Sequence, residues 1–231
     1  MSLSFAKPTT RTIIRTLIPI GTALLAFVVT GFLLLAGGFD PLEAYGLILQ
    51  GSVGGVREGG ETLVRTTSLL LTGLAVGFAF RCKVWNIGAE GQLYFGAIGA
   101  VVIALTVAGQ IPVFGVIIAI IFAMIFGAGW AAIAGVLKSR LGVNEIIVTV
   151  MLNFIAILFV DFLVHGALKA PGFEPQTALI PLTSQLPILI EGTRFHAGFL
   201  VAIAAAVLIY LILFKTKTGF SLRATGVNPK A

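Results

Sequence analysis

Charge is scarce in this chain. Only 10% of its 231 residues are Asp, Glu, Lys or Arg, against 58% that are hydrophobic, whereas soluble domains carry about a quarter charged residues. A water-soluble fold of this length would lack the polar surface to cover itself, so lipid is the expected solvent for most of it. Cysteine is nearly absent too: Cys82 stands alone, beside two histidines, His165 and His196. That excludes an intramolecular disulfide and a Cys-His metal cluster, and no metal or cofactor site is expected. The Gly-x-x-x-x-Gly-Lys-Ser/Thr phosphate loop is missing, so any nucleotide-driven work needs another chain. An intramembrane enzyme would want paired acids, clustered histidines or a nucleophile beside a base within the apolar runs. Both histidines instead flank one loop, and no catalytic residue is expected.

What the sequence has instead is long apolar runs. Six are read as spans, at about 13–38, 62–80, 91–108, 112–137, 146–164 and 197–214, since about 20 apolar residues at about 1.5 Å each cross a hydrocarbon core. The first follows Lys7, Arg11 and Arg15 like a signal peptide, but exceeds the about 7–15 residues of an h-region, so it is read as a retained anchor. Glycine throughout, and the need to satisfy backbone groups inside lipid, predict an all-α polytopic transmembrane helical bundle forming one domain over 1–231. A short interfacial helix is expected over Leu42–Gln50, a glycine-rich loop over Gly51–Gly60, and a tight turn at Gly109–Pro112 that splits the charge-free run from Gly91 to Leu137.

Orientation follows from the basic residues. With the N-terminus inside, the cytoplasmic segments hold Lys7, Arg11, Arg15, Arg81, Lys83, Lys138, Arg140, Lys215, Lys217, Arg223 and Lys230, leaving Arg57, Arg65, Lys169 and Arg194 outside. Both termini are therefore expected in the cytoplasm, 165–196 is an extracytoplasmic loop, and 215–231 is a cytoplasmic segment. The net charge of +6 is then positive-inside bias, and nucleic acid is not an expected partner. Ala123, Gly127, Ala131 and Gly135 at four-residue spacing, with the Gly73/Gly77 pair, mark close helix contacts.

Polar residues inside the runs invite a functional reading. Glu145, Thr149 and Asn153 share one helix face, suited either to interhelical hydrogen bonding or to lining a permeation route; Glu145 alone also suits a solvated helix start. Asp161 reads as interfacial. In "WNIGAEGQ", Trp85–Gln92, Gly88 and Gly91 weaken helix formation by about 1 kcal/mol each. A break is expected there, with peptide groups and the Asn86, Glu90 and Gln92 side chains free for a polar solute, as in the broken helices of transporters. The plain alternative is a cytoplasmic turn. Trp85, Tyr94 and Phe154 suit either packing or stacking on a base. These features alone also fit an ion-coupled secondary transporter or channel, with Glu90 or Glu145 titrating.

"WNIGAEGQ" at 85–92, "GVNEIIVTVMLNF" at 142–154 and "TGFSLRATGVNP" at 218–229 together resemble permease subunits of bacterial ABC importers for nucleosides and simple sugars, within the branched-chain amino acid and ribose permease superfamily. The resemblance implies a multi-pass subunit of the inner membrane that moves a polar solute by alternating access. It implies cytoplasmic ATP-binding subunits, a second permease subunit, identical or related, and an extracytoplasmic solute-binding protein as partners. Nucleosides are the first expected substrate class and simple sugars the second. Asn86, Glu90, Gln92, Glu145 and Asn153 are the residues expected to bear on the route. The family's coupling region maps to Arg223, Gly226, Asn228 and Pro229, and Asn228 as N-cap before Pro229 suits a helix starting at Pro229. Family members continue for roughly another third, so the chain is expected to be a C-terminally truncated piece that transports nothing alone.

Overall fold

A computed structural model describes residues 10–111 and 114–227. The helices are α1 (Thr10–Ala36), α2 (Pro41–Val53), α3 (Val56–Arg81), α4 (Ala89–Thr106), α5 (Gly115–Leu141), α6 (Glu145–His165), α7 (Gly198–Lys215) and α8 (Lys217–Val227), with short 3₁₀ turns at Ala108–Gln110 and Leu182–Ser184. No strand occurs among the described residues beyond one isolated bridge, Ile188 to His196. Six helices are long and apolar enough to cross a membrane: α1 over Leu17–Ala36, and α3, α4, α5, α6 and α7. Pro112 of the expected turn, and Lys7, Asn228, Pro229 and Lys230, lie outside the described residues.

Two units divide the chain between Gly59 and Gly60. In the first, Asp40 caps α2: its Oδ1 accepts the Leu42 and Glu43 N–H groups at 2.8 and 3.4 Å, and Pro41 fills the first helical position. Tyr45 Oη donates to the Phe27 carbonyl at 2.6 Å and the two rings meet edge to face at 5.5 Å. The first turn of α2 thus doubles back beside α1. The expected loop over Gly51–Gly60 is corrected: α2 continues to Val53 and α3 begins at Val56. A helical glycine costs only about 1 kcal/mol, less than leaving several peptide groups without partners.

The second unit is built around α4, α5 and α6. An added Cβ on Gly96 would meet the Ala123 carbonyl oxygen at 3.1 Å, and one on Gly127 the Gln92 carbonyl oxygen at 3.1 Å. Small residues let these backbones approach where no hydrophobic effect drives helices together. Phe95 stacks on Trp130 at 3.5 Å between centroids and on Phe159 at 5.6 Å, tying the three helices through one aromatic column. The expected contact stripe is therefore half right. Ala123 and Gly127 face α4, but nothing lies within 4 Å of a Cβ on Gly135, nor on Gly73 or Gly77 of α3.

The α5–α6 connection closes tightly because Gly142 takes a left-handed φ of 64° and donates to the Lys138 carbonyl at 3.0 Å. Asn144 then caps α6, accepting from Ile146 N–H at 2.9 Å. At the opposite end of the helices, Thr183 Oγ1 donates to the Gly109 carbonyl at 2.8 Å. Nearby, Arg194 binds Glu61 of α3 through Nε and Nη2 at 2.7 and 2.6 Å. Hydrogen bonding to that carboxylate, reinforced by its charge, raises the Arg194 pKa above its ordinary value.

Candidate functional site

Helix α3 ends in a six-residue closure in which the Val84 N–H reaches the Ala79 carbonyl at 3.1 Å, with Lys83 at φ 54° in the left-handed region. A non-glycine residue there costs about 1–2 kcal/mol. Lys83→Gly is therefore expected to raise stability by about 1 kcal/mol, read as an upward shift of the thermal unfolding midpoint in detergent; a lowered midpoint would refute it.

Between Arg81 and Ala89 the backbone is not helical. The expected break is present, but its peptide groups are not free. The polar face of α6 takes them in order. Glu145 Oε1 accepts from Trp85 N–H at 3.4 Å, Thr149 Oγ1 from Ile87 N–H at 3.3 Å, and Asn153 Oδ1 from Gly91 N–H at 2.8 Å, while Asn153 Nδ2 donates to the Ile87 carbonyl at 2.8 Å. Glu145 and Thr149, four residues and about 6.0 Å apart along α6, match Trp85 and Ile87, two extended residues and about 6.6 Å apart; Asn153, one step further, bridges Ile87 to Gly91 in the first turn of α4. The stripe is thus engaged in hydrogen bonds to the strap and, through Asn153, to α4.

Asn86 and Gln92 are also engaged. Asn86 Oδ1 accepts from Gly88 N–H at 2.9 Å and from Gln92 Nε2 at 3.1 Å, and Asn86 Nδ2 donates to Gln92 Oε1 at 3.3 Å. The two amides close the turn into α4 on itself. Glu145 forms an ion pair with Lys138. Among the described residues, Glu90 has no hydrogen-bond or ion-pair partner. It is exposed and lines a cleft of about 620 Å³ between α3 and α4, opposite Ser68, Thr72, Gly73 and Gly77. Ser68 and Thr72 went unread in the sequence, although their four-residue spacing beside Gly73 and Gly77 placed them on one face of the second span.

The aromatic candidates divide. Trp85 is 55% exposed and tilts on Phe80 at 5.0 Å, Phe154 is 58% exposed, and Tyr94 faces α6 across a narrow gap of about 90 Å³. Trp130 was missed: its Nε1 is buried without a partner among the described residues and lies 3.1 Å from where a Gly91 Cβ would stand. Asp161 pairs with His165 one turn on, at 3.3 Å.

Arg223 and Gly226 sit on α8, a helix that begins ahead of the expected start at Pro229. Thr216 Oγ1 caps it by accepting from Gly219 N–H at 3.0 Å. The Arg223 guanidinium lies 5.0 Å from the Phe214 ring, and that of Arg81 lies 5.5 Å from the same ring.

Similarity to known proteins agrees with this arrangement of apolar helices. The chain is 34% identical over 220 residues to the guanosine ABC transporter permease protein NupP of Bacillus subtilis, covering 93% of this chain and 62% of the relative. It is 30% identical to the nucleoside ABC transporter permease protein NupB of Lactococcus lactis, over 94% of this chain and 62% of the relative. To the glucose ABC transporter permease protein TsgB13 of Haloferax volcanii it is 34% identical, over 92% of this chain and 59% of the relative. The chain thus spans about three fifths of the length of these curated relatives. No solved structure matches it. Residues 60–231, which hold the strap, the Glu90 cleft and α8, match the transporter family described as the branched-chain amino acid transport system permease component, and the chain belongs to that family.

Proposed function

We propose that this chain is part of the permease of an ATP-driven importer for nucleosides, with simple sugars as the second candidate class. Family membership supports the transport role, and the guanosine, nucleoside and glucose permeases among its relatives support the two substrate classes. Both termini face the cytoplasm in this reading. Arg81, Lys83, Lys138, Arg140, Lys215, Lys217 and Arg223 all belong to the end of the helices that carries the strap and α8, as the bias of basic residues toward the cytoplasm requires. ATP-binding subunits supply the energy, a second permease subunit completes the path, and an extracytoplasmic binding protein delivers the solute.

The observation that carries the site is the unpaired Glu90 carboxylate on the α3–α4 cleft. Carboxyl oxygens there accept hydrogen bonds from the hydroxyls of a ribose or hexose, and Ser68 and Thr72 across the gap offer further polar contacts. In this reading Asn86, Gln92, Glu145 and Asn153 shape the route by holding the strap rather than by touching the solute.

Glu90→Gln in the complete transporter, reconstituted with its ATP-binding subunits and binding protein, is expected to lower guanosine uptake at least about tenfold, the loss of one charge-assisted hydrogen bond of about 1.5–3 kcal/mol, with assembly unchanged. Undiminished uptake removes Glu90 from the route. Proton-dependent uptake by the permease without any ATPase would establish the ion-coupled alternative instead.

A further inference from the structure

A second cleft, of about 350 Å³, lies between the apolar helices α3 and α7. Leu69, Leu74 and Phe78 of α3 and Ile209 and Leu213 of α7 are among its walls, and Arg81, where α3 ends, is the one charged residue lining it. From Leu69 to Arg81 the cleft follows α3 for about 18 Å, against about 15 Å for half of a hydrocarbon core. Spread over that length, its volume averages a cross-section of about 20 Å², whereas a helix about 10 Å across needs about 80 Å². A single extended hydrocarbon chain fits such a slot, and a helix does not.

The mouth of the cleft is basic. The Arg81 and Arg223 guanidinium carbons lie 5.5 and 5.0 Å from the centre of the Phe214 ring, and neither group pairs with a carboxylate among the described residues. Packing brings these like charges together: α8 approaches the end of α3 so closely that a Cβ on Gly226 would meet the Arg81 carbonyl oxygen at 2.7 Å. Lys83, Lys215 and Lys217, all exposed, stand within three residues of Arg81 or Phe214. Like charges held against one ring repel, and an anion bound beside them relieves the repulsion while accepting their N–H groups.

We propose that this cleft holds one acyl chain of an anionic phospholipid, with the phosphate bound by Arg81 and Arg223. Both halves of the site are needed: the apolar slot alone would take any lipid, and the arginines alone any phosphate. A guanidinium presents paired N–H donors to phosphate oxygens, and basic pockets between transmembrane helices select acidic headgroups. The site is not the Glu90 cleft, which lies on the α4 side of α3. It belongs to the leaflet on the strap side, and rests on the permease reading only in that this leaflet is then the cytoplasmic one.

The test is photolabelling of the complete transporter in phosphatidylcholine vesicles that carry a small fraction of phosphatidylglycerol with a photoactivatable group in its acyl chain, followed by peptide mapping. Label is expected on α3 between Leu69 and Phe78 and on α7 between Ala206 and Leu213, and unlabelled phosphatidylglycerol is expected to displace it. In the double variant Arg81→Gln with Arg223→Gln it is expected to fall at least about tenfold, since each cation near the membrane surface contributes about fivefold. Leu74→Trp fills the slot and leaves both arginines in place, and is expected to lose the same label, so the inference stays open to refutation even where the double variant does not assemble. Equal labelling by the phosphatidylcholine analogue, displacement by inorganic phosphate as effective as by phosphatidylglycerol, a cleft left unlabelled because another helix covers it, or undiminished label in either variant overturns the inference. No arm reads uptake, so the outcome is separate from that of the permease reading.

Discussion

Asn153→Leu is expected to destabilise the protein by about 2–4 kcal/mol and to abolish uptake by the complete transporter. Asn153 ties the strap to the start of α4, donating to the Ile87 carbonyl and accepting from Gly91 N–H, at 2.8 Å in each case. Leucine has similar bulk but leaves the Gly91 N–H and the Ile87 carbonyl without partners, and Gly91 is buried. Each orphaned group costs about 1–3 kcal/mol, moderated because a chain loosened within the membrane finds other partners. Thr149→Val leaves one strap group, the Ile87 N–H at 3.3 Å, without its acceptor, removes the hydroxyl's own donation to the Glu145 carbonyl at 2.7 Å, and is expected to cost about 1 kcal/mol. Thermal unfolding of the two variants in detergent measures the ranking. Equal midpoints would mean that Asn153 does not hold the strap.

A comparable loss is expected from Gly99→Leu. A Cβ at that position would stand 2.8 Å from the Phe122 carbonyl oxygen and 2.9 Å from Phe126 Cβ, atoms fixed to the α5 backbone that no rotamer change can withdraw. The two helices must separate, which opens the Gly96 and Gly127 contacts as well. Overpacking of this kind costs about 1–3 kcal/mol where side chains can yield, and the upper part of that range is expected here. Gly135→Leu makes the same chemical change at a site with nothing within 4 Å. It is expected to be neutral or to gain up to about 1 kcal/mol in helix propensity. The monodisperse fraction on size exclusion, with thermal midpoints, separates the two variants. A Gly135→Leu protein as damaged as Gly99→Leu would show that glycine content rather than contact is what matters.

These contrasts show where sequence reasoning reached and where it stopped. The apolar runs were readable because a membrane helix must satisfy itself, so length and the absence of charge nearly suffice to find it. The α6 stripe was readable for a similar reason, since Glu145, Thr149 and Asn153 recur with the helical period. What they hold was not, because their partners are peptide groups, which carry no letter in the sequence. Glycines were the least transparent residues. Gly73 with Gly77 and Gly96 with Gly99 look alike in sequence, yet only the second pair meets a neighbouring backbone, and Gly51 and Gly60 lie within helices. Helix α8 escaped notice because its apolar residues mark no clear face. Thr216, Gly219 and Gly226 hold it in place through a cap and two close approaches.

The two tryptophans stand in different surroundings. Trp130 lies in the aromatic column between α4, α5 and α6, whereas Trp85 sits exposed in the strap against Phe80, at the end of α3. With Trp130 replaced by phenylalanine, the remaining indole emission of these 231 residues comes from the strap. Its wavelength and quenching then give an optical readout of that segment, in real time and without an attached label.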